Sequence, residues 1–218
     1  MERINEDNRA VVCGVFRQTF AYSHRIYGEV FYKAEIRVSR KSRAVDDIPV
    51  MVPGRLCDPS YDYTGKLAGI AGEFRSFNER QGDRNRLCLY LFAKEIIIPD
   101  EEDRCKEVAD CNRILLHGYL CKEPVYRETP LGREITELLI AVNRAYGKSD
   151  YIPCICWGRN ARYASGLGTG DRILLEGRIQ SREYIKTDEK GKSKKTAYEV
   201  SVQKISCLQE SCSCRCAG

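Results

Sequence analysis

Only two histidines, His24 and His117, occur in the 218 residues; neither belongs to a His-Glu-x-x-His pair, and no Gly-x-x-x-x-Gly-Lys-Ser/Thr loop or Gly-x-Ser-x-Gly elbow is present. Hydrolysis and nucleotide turnover find no residues to carry them, so the chain is expected to be neither an enzyme nor a cofactor carrier. What it offers instead is aromatic rings interleaved with bases. Tyr126 precedes Arg127, Tyr146 stands between Arg144 and Lys148, Trp157 neighbours Arg159 with Tyr151 upstream, and Tyr184 falls between Arg182 and Lys186. Single-stranded nucleic acid is gripped by such a mixture, because every base has a face that stacks on a ring while Lys and Arg follow the phosphates. The competing reading is that these rings fill a core.

Twelve cysteines lie mostly inside apolar runs, which suits thiols in a reducing compartment better than a disulfide scaffold. Cys207, Cys212, Cys214 and Cys216 are the one set that could hold zinc through thiolates. Their spacing lacks the usual Cys-x₂₋₄-Cys knuckle, so no metal site is assigned. Cys154 and Cys156 share one strand face and read as small buried hydrophobes, and His117, inside an apolar run, reads as structural.

An internal repeat supplies a control on the rings. At an offset of 104, Asn8-Arg9 falls on Asn112-Arg113, Gly14 on Gly118, Tyr22 on Tyr126, Gly28 on Gly132, Val38 on Val142 and Arg40 on Arg144. The match continues with Asp46 on Asp150, Ile48-Pro49 on Ile152-Pro153 and Gly54-Arg55 on Gly158-Arg159; at an offset of 105, Gly65 meets Gly170, Gly72 meets Gly177 and Ser76 meets Ser181. Over the same alignment Tyr146 becomes Ser42, Tyr151 becomes Asp47 and Trp157 becomes Pro53. Rings needed by a core would be replaced by apolar bulk, so these positions are expected at the surface, as a stacking platform in the second unit that the first has lost.

The elements that must position them are strands, since apolar and β-branched runs are punctuated by Gly, Pro, Asn and Asp and few segments show a helical period. In the second unit the strands are expected near 112–120, 134–143, 151–158, 171–185 and 195–205; in the first, near 8–16, 29–39, 47–54, 66–77 and 86–97. Asn160–Ser165 predicts a short helix capped by Asn160 and ended by Gly166, whereas Leu56–Tyr61 carries a proline and reads as a loop. Five strands with one helix between the third and fourth is the pattern of an OB-fold barrel, so the fold class is all-β, two OB folds in tandem. The domains are then 1–98, an acidic linker 99–111, 112–206 and a Cys-rich tail 207–218. Thr187–Lys195 reads as a mobile basic hairpin tip.

Charge agrees with this division. Residues 1–104 hold 17 bases and 17 acids, while 105–218 hold 19 bases and 14 acids, so the net +5 belongs to the second unit, the better candidate for a polyanion. No uncharged stretch exceeds eight residues, too short for a membrane-spanning helix, and the acidic N-terminus lacks the apolar core of a signal peptide. A cytoplasmic protein is expected.

Asn112–Gly118, Tyr126–Gly132, Ile140–Arg144, Tyr151–Arg159 and Leu175–Tyr184 together carry a resemblance to the bacterial single-stranded DNA-binding protein family, looking like its first strand, first hairpin and second, third and fourth strands. The likeness covers nearly all of 112–206, whereas residues 8–97 share only the framework. It implies single-stranded DNA as partner, with base-stacking aromatics at Tyr151, Trp157 and Tyr184 and, more loosely, Tyr146. It also implies an address at the nucleoid. The family generally presents four OB folds, so a chain with two is expected to form a homodimer. Its usual acidic recruitment tail is not matched by Cys207–Gly218. A protein-docking module and an RNA-binding regulator are the rival readings.

Overall fold

The computed structural model describes residues 6–40, 42–81, 84–99, 111–188 and 191–208. The first unit contains β1 (Asn8–Phe16), β2 (Ala21–Ile26), β3 (Glu29–Ser39), β4 (Val45–Pro53), β5 (Leu67–Gln81) and β6 (Arg84–Ile97). The second contains β7 (Asn112–Leu120), β8 (Val125–Glu128), β9 (Glu134–Asn143), β10 (Ser149–Trp157), helix α1 (Arg159–Ser165), β11 (Arg172–Asp188) and β12 (Gly191–Cys207). Residues 100–110 of the expected linker, and Cys212, Cys214 and Cys216 of the tail, lie outside the described residues.

Each unit closes into a barrel because its first strand pairs on both edges, β1 with β5 and β3, β7 with β11 and β9. A parallel contact, Val50 with Leu91 and Cys154 with Val200, shuts the other seam. Alternation does the sorting: in β1 Asn8, Ala10, Val12, Gly14 and Phe16 are buried while the residues between them are not. The repeated glycines mark close approaches. A Cβ on Gly14 would lie 2.3 Å from the Arg37 carbonyl oxygen and one on Gly118 2.3 Å from that of Ala141, where the barrels close.

The barrels are plugged differently. In the second, Ala161 and Ala164 of α1 are buried in its mouth. In the first, Tyr63 from the proline-containing loop stacks on Phe20 at 4.4 Å and meets Phe16 edge-on. Helix α1 starts one residue before the expected point, at Arg159 after Gly158, and Asn160 does not cap it; the Asn160 amide donates instead to the Gln203 carbonyl at 3.0 Å. The expected mobile tip at 187–195 is mostly ladder, with Ile185 opposite Lys194 and Thr187 opposite Lys192, because β11 and β12 continue past the barrel as a two-stranded ribbon. Residues 189 and 190 lie outside the described residues.

One twelve-stranded sheet joins the units through antiparallel β1 and β7, in which Ala10 sits opposite Ile114, its own repeat counterpart. The pairing of equivalent residues places a local twofold axis there. Asn8 embraces Phe74 through that residue's N–H (2.9 Å) and carbonyl (2.8 Å), and Asn112 embraces Ile179 in the same way, at 2.9 and 2.7 Å. At one end of the junction His117 Nδ1 lies 2.6 Å from Asp7 while its Nε2 accepts from Arg172 Nε at 2.8 Å, a structural role. At the other end the Cys13 N–H donates to the Cys111 carbonyl, and burial together with the Cys111 thiol pushes the Cys13 thiol up to about 11.

Candidate nucleic-acid interface

Along β10, Asp150, Ile152, Cys154 and Cys156 are buried on the inner face, and period two sends Tyr151, Pro153, Ile155 and Trp157 to the outer one. Register carries that outer face across the barrel. Ile155 pairs with Ser201 of β12, and Ser201 with Arg178 of β11, so Arg178, Gln180, Arg182 and Tyr184 lie on the same side. Trp157 is 40% exposed, Tyr151 47% and Tyr184 40%, so these rings do not fill the core. Cys154 and Cys156 behave as small hydrophobes; burial pushes the Cys156 thiol up to about 12 and holds the Cys154 thiol well above its usual value. Among the described residues no His, Cys, Asp and Glu cluster has the makings of a metal site, and Cys207, half-buried, has its N–H held by Tyr163 Oη at 3.0 Å.

Cations are distributed less evenly than rings. Lys148 is exposed, and so is Arg159 at the first turn of α1; neither has an ion pair among the described residues. Arg182 lies 3.7 Å from Glu199, a buried carboxylate that also accepts from Gln180 at 2.8 Å. Arg178, absent from the sequence-derived candidates, adds a half-exposed guanidinium to the centre of the face. Counting two residues back from Arg182 and Gln180 would have found it. The side chains of Tyr146 and Lys186 lie outside the described residues.

Two candidates stand elsewhere. Arg144 is engaged twice by Asp150, through Nε at 2.6 Å and through Nη2, and its Nη2 also donates to the Ser76 carbonyl at 2.7 Å. Asp150 in turn accepts the Ser76 N–H at 2.5 Å. The twofold-related clamp is Arg40 and Asp46 on Ser181: Arg40 donates to the Ser181 carbonyl at 3.1 Å, and Asp46 accepts its N–H at 2.7 Å. Burial alone would raise the Asp46 carboxyl, but Arg40 and Ser181 hold it below the usual carboxylate value. Arg144 is therefore part of the joint between the units, its charge met by Asp150. Tyr126 pairs with Thr136, whose hydroxyl donates into α1 at Ala161, which puts Tyr126 on the opposite side of the sheet from Trp157. Its hydroxyl donates to Glu134 at 2.9 Å.

In the first unit the equivalent outer face carries Asp47 and Pro53 where the second has Tyr151 and Trp157. Asp47 is closed by a two-pronged Arg37, with Nε at 2.7 Å and Nη2 at 2.6 Å. The β11–β12 ribbon leans over this face. Burial, then Glu35 and Asp47 of the first unit, push the Tyr198 hydroxyl up to about 12.

Comparison with known proteins gives a consistent picture. The profile of the "Single-strand binding protein family" matches residues 111–208. "Single-stranded DNA-binding protein 2" of Listeria innocua is 36% identical over 86 residues, which is 36% of this chain and 54% of that protein. "Single-stranded DNA-binding protein" of Bacillus cereus is also 36% identical over 86 residues, 36% of this chain and 51% of that one. The chain thus spans about half the length of the curated relatives it matches. Among solved structures, the wild-type single-stranded DNA binding protein from Thermus aquaticus superposes with a TM-score of 0.73 at 17% identity, covering 93% of each chain, a likeness of fold across both barrels.

Proposed function

We propose, from the match of residues 111–208 to the single-strand binding protein family, that this protein grips single-stranded DNA on the outer face of β10, β11 and β12, without catalysis and without strong sequence preference. The observation that carries the reading is the exposure of Tyr151, Trp157 and Tyr184 on one side of the sheet, around Arg178 and Arg182. Each ring takes a base on its free face, and the guanidiniums, with Lys148 and Arg159 at the edges, follow the phosphates. Arg144 and Tyr126 do not enter this site. The first unit serves assembly: it supplies half of the joint and keeps the barrel while its equivalent positions hold Asp47 and Pro53. Strand protection during replication, recombination or repair, in the cytoplasm at the nucleoid, follows from such binding.

Two copies complete the assembly as a homodimer of four barrels. The outward face of β1 and β7 supports this, since Val11 and Leu115 are half-buried beside Arg113 and Arg9, and Val15 and Tyr119 are exposed at its two ends. Mass measurement in solution should give twice 24.9 kDa.

Trp157 is the only tryptophan, which makes the test direct. Oligo-dT should quench its fluorescence and duplex DNA should not. Quenching by no strand favours a docking module, and stronger quenching by oligo-U than by oligo-dT favours an RNA-binding regulator.

A further inference from the structure

The outer face of the first unit is not bare; it has been rebuilt from different positions. Phe77 on β5 stands where the second unit has Arg182, and Tyr90 on β6 where it has Glu199, so two rings replace an ion pair. Their centroids are 5.1 Å apart with planes 19° from parallel. Phe77 is 39% exposed, so part of its side chain stays open to solvent while its ring lies against Tyr90. Lys33 on β3 sits with its Nζ 5.8 Å from the Tyr90 centroid. Lys33 and Arg86 have no ion-pair partner among the described residues.

Carboxylates on this face are already engaged. Glu73 is held by Arg75 at 2.6 Å and Lys94 at 3.8 Å, Asp47 by Arg37, and Glu79 accepts from the Cys88 thiol, which leaves Glu35 beside Arg37 and Tyr198. Phe92 is already capped, with the Arg75 guanidinium 4.1 Å from its centroid. The exposed ring and the unpaired bases therefore concentrate at Phe77, Tyr90, Lys33 and Arg86.

This patch adjoins the face of the second unit. The Tyr151 N–H donates to Ser76 Oγ at 2.7 Å, and Ser76 is the chain neighbour of Phe77, so the strand that carries Phe77 meets the strand that carries Tyr151 at this point.

We propose that Phe77 and Tyr90, with Lys33 and Arg86, form a second single-stranded DNA subsite that continues the strand held at Tyr151 across the joint onto the first unit. A base stacks on the exposed part of Phe77, and the phosphates beside it lie against Lys33 and Arg86. This subsite rests on the binding reading for the second unit and deepens it. With an unfavourable neighbour in Glu35 it holds a strand that the second unit has already captured, at high effective concentration.

The test compares two lengths of oligo-dT on the full chain, read by Trp157 fluorescence: about 8 nucleotides, enough for one barrel, and about 30, enough to cross the joint. Phe77→Ala should weaken the longer strand by about 5- to 100-fold and leave the shorter within twofold. Lys33→Glu, which reverses the charge of a half-buried base beside Tyr90 while Phe77 stays in place, should move the same way by a smaller factor. Unchanged affinity for the longer strand in both variants overturns the subsite while leaving the second unit's site intact. Equal loss on both lengths also overturns it, because Phe77 would then support the joint rather than a strand. Absence of quenching in the unaltered protein at either length counts against the second unit's site itself, and this extension falls with it.

Discussion

The two barrels agree where they close and where they meet, and differ where they face solvent. Asn8 and Asn112 clasp equivalent backbone groups, Gly14 and Gly118 admit equivalent carbonyls, and Arg40 with Asp46 does for Ser181 what Arg144 with Asp150 does for Ser76. Against this, Tyr151 and Trp157 face Asp47 and Pro53, and Arg182 and Glu199 face Phe77 and Tyr90. Identity between the copies therefore marks the joint, and divergence marks the outer face that is the proposed ligand face. Buried polar groups leave little freedom, because losing one partner strands the other, whereas an outer face can change without cost to the barrel.

The joint should respond most strongly. Asp150→Ala leaves Arg144 without its partner and should cost about 3 kcal/mol in denaturant unfolding, and Asp46→Ala should cost a similar amount through Arg40. Equal losses would sharpen the symmetry; a full effect from one and none from the other would break it. Next come the closing glycines. Gly118→Ala would set a Cβ 2.3 Å from the Ala141 oxygen and should destabilise by about 1–3 kcal/mol, with Gly14→Ala close behind, both visible as a lower Tm.

The ligand face should behave in the opposite way. Trp157→Ala is expected to weaken binding of a fluorescein-labelled oligo-dT by about 1–3 kcal/mol while the unfolding midpoint stays near that of the unaltered protein. Pro53→Ala, its counterpart, should leave that affinity alone. A Trp157→Ala protein that melts far lower, with normal binding by its folded fraction, would make the ring a core residue. A smaller effect belongs to Arg178, which was not among the sequence candidates. If about four to six phosphates are neutralised, log K against log[salt] should slope by about −3 to −4, and Arg178→Ala should reduce that slope by about 0.7.

Acid offers a last, gentle way to separate the regions. The Asp46 carboxyl sits lower in the folded than in the unfolded chain, so its contribution is fully present above the unfolded value of about 4 and is lost as pH falls through the depressed folded value. Stability from this clamp should therefore be flat from neutrality down to about pH 5 and decline only in stronger acid. A midpoint that falls between pH 7 and pH 5 would assign the loss to another group.

Much of this was legible in the sequence. Strands such as Asn8–Phe16 and Glu134–Asn143 alternate so regularly that their limits follow from the pattern. The two short strands, Ala21–Ile26 and Val125–Glu128, are not legible that way, because they lie at the sheet's edges and bury no face of their own. Trp157, Tyr151 and Tyr184 were identifiable as surface rings because the first unit lacks apolar bulk at the first two positions and the family resemblance marks all three. Arg144 was misplaced for an instructive reason. Its repeat partner Arg40 is identical, and the shared Arg, Asp and Ser were the signature of a symmetric joint, yet a base beside an aromatic looks the same in sequence whichever way it points. Tyr126 lies on the other face from Trp157 by one residue of strand parity, which decides the face of a sheet and is invisible without the register. The Phe77 and Tyr90 pair was hidden because its members come from two strands and meet only when β5 and β6 are laid side by side.

Single-stranded DNA is proposed to lie on the outer face of the second barrel and not on the matching positions of the first. Photocrosslinking of the full chain to a short halogenated oligo-dU, about 8 nucleotides long so that one barrel suffices, with the crosslinked residues identified by mass spectrometry, tests this most directly. The expected adducts are at Trp157, Tyr151 and Tyr184. Adducts confined to the first unit, or to the outward face of β1 and β7, would contradict it.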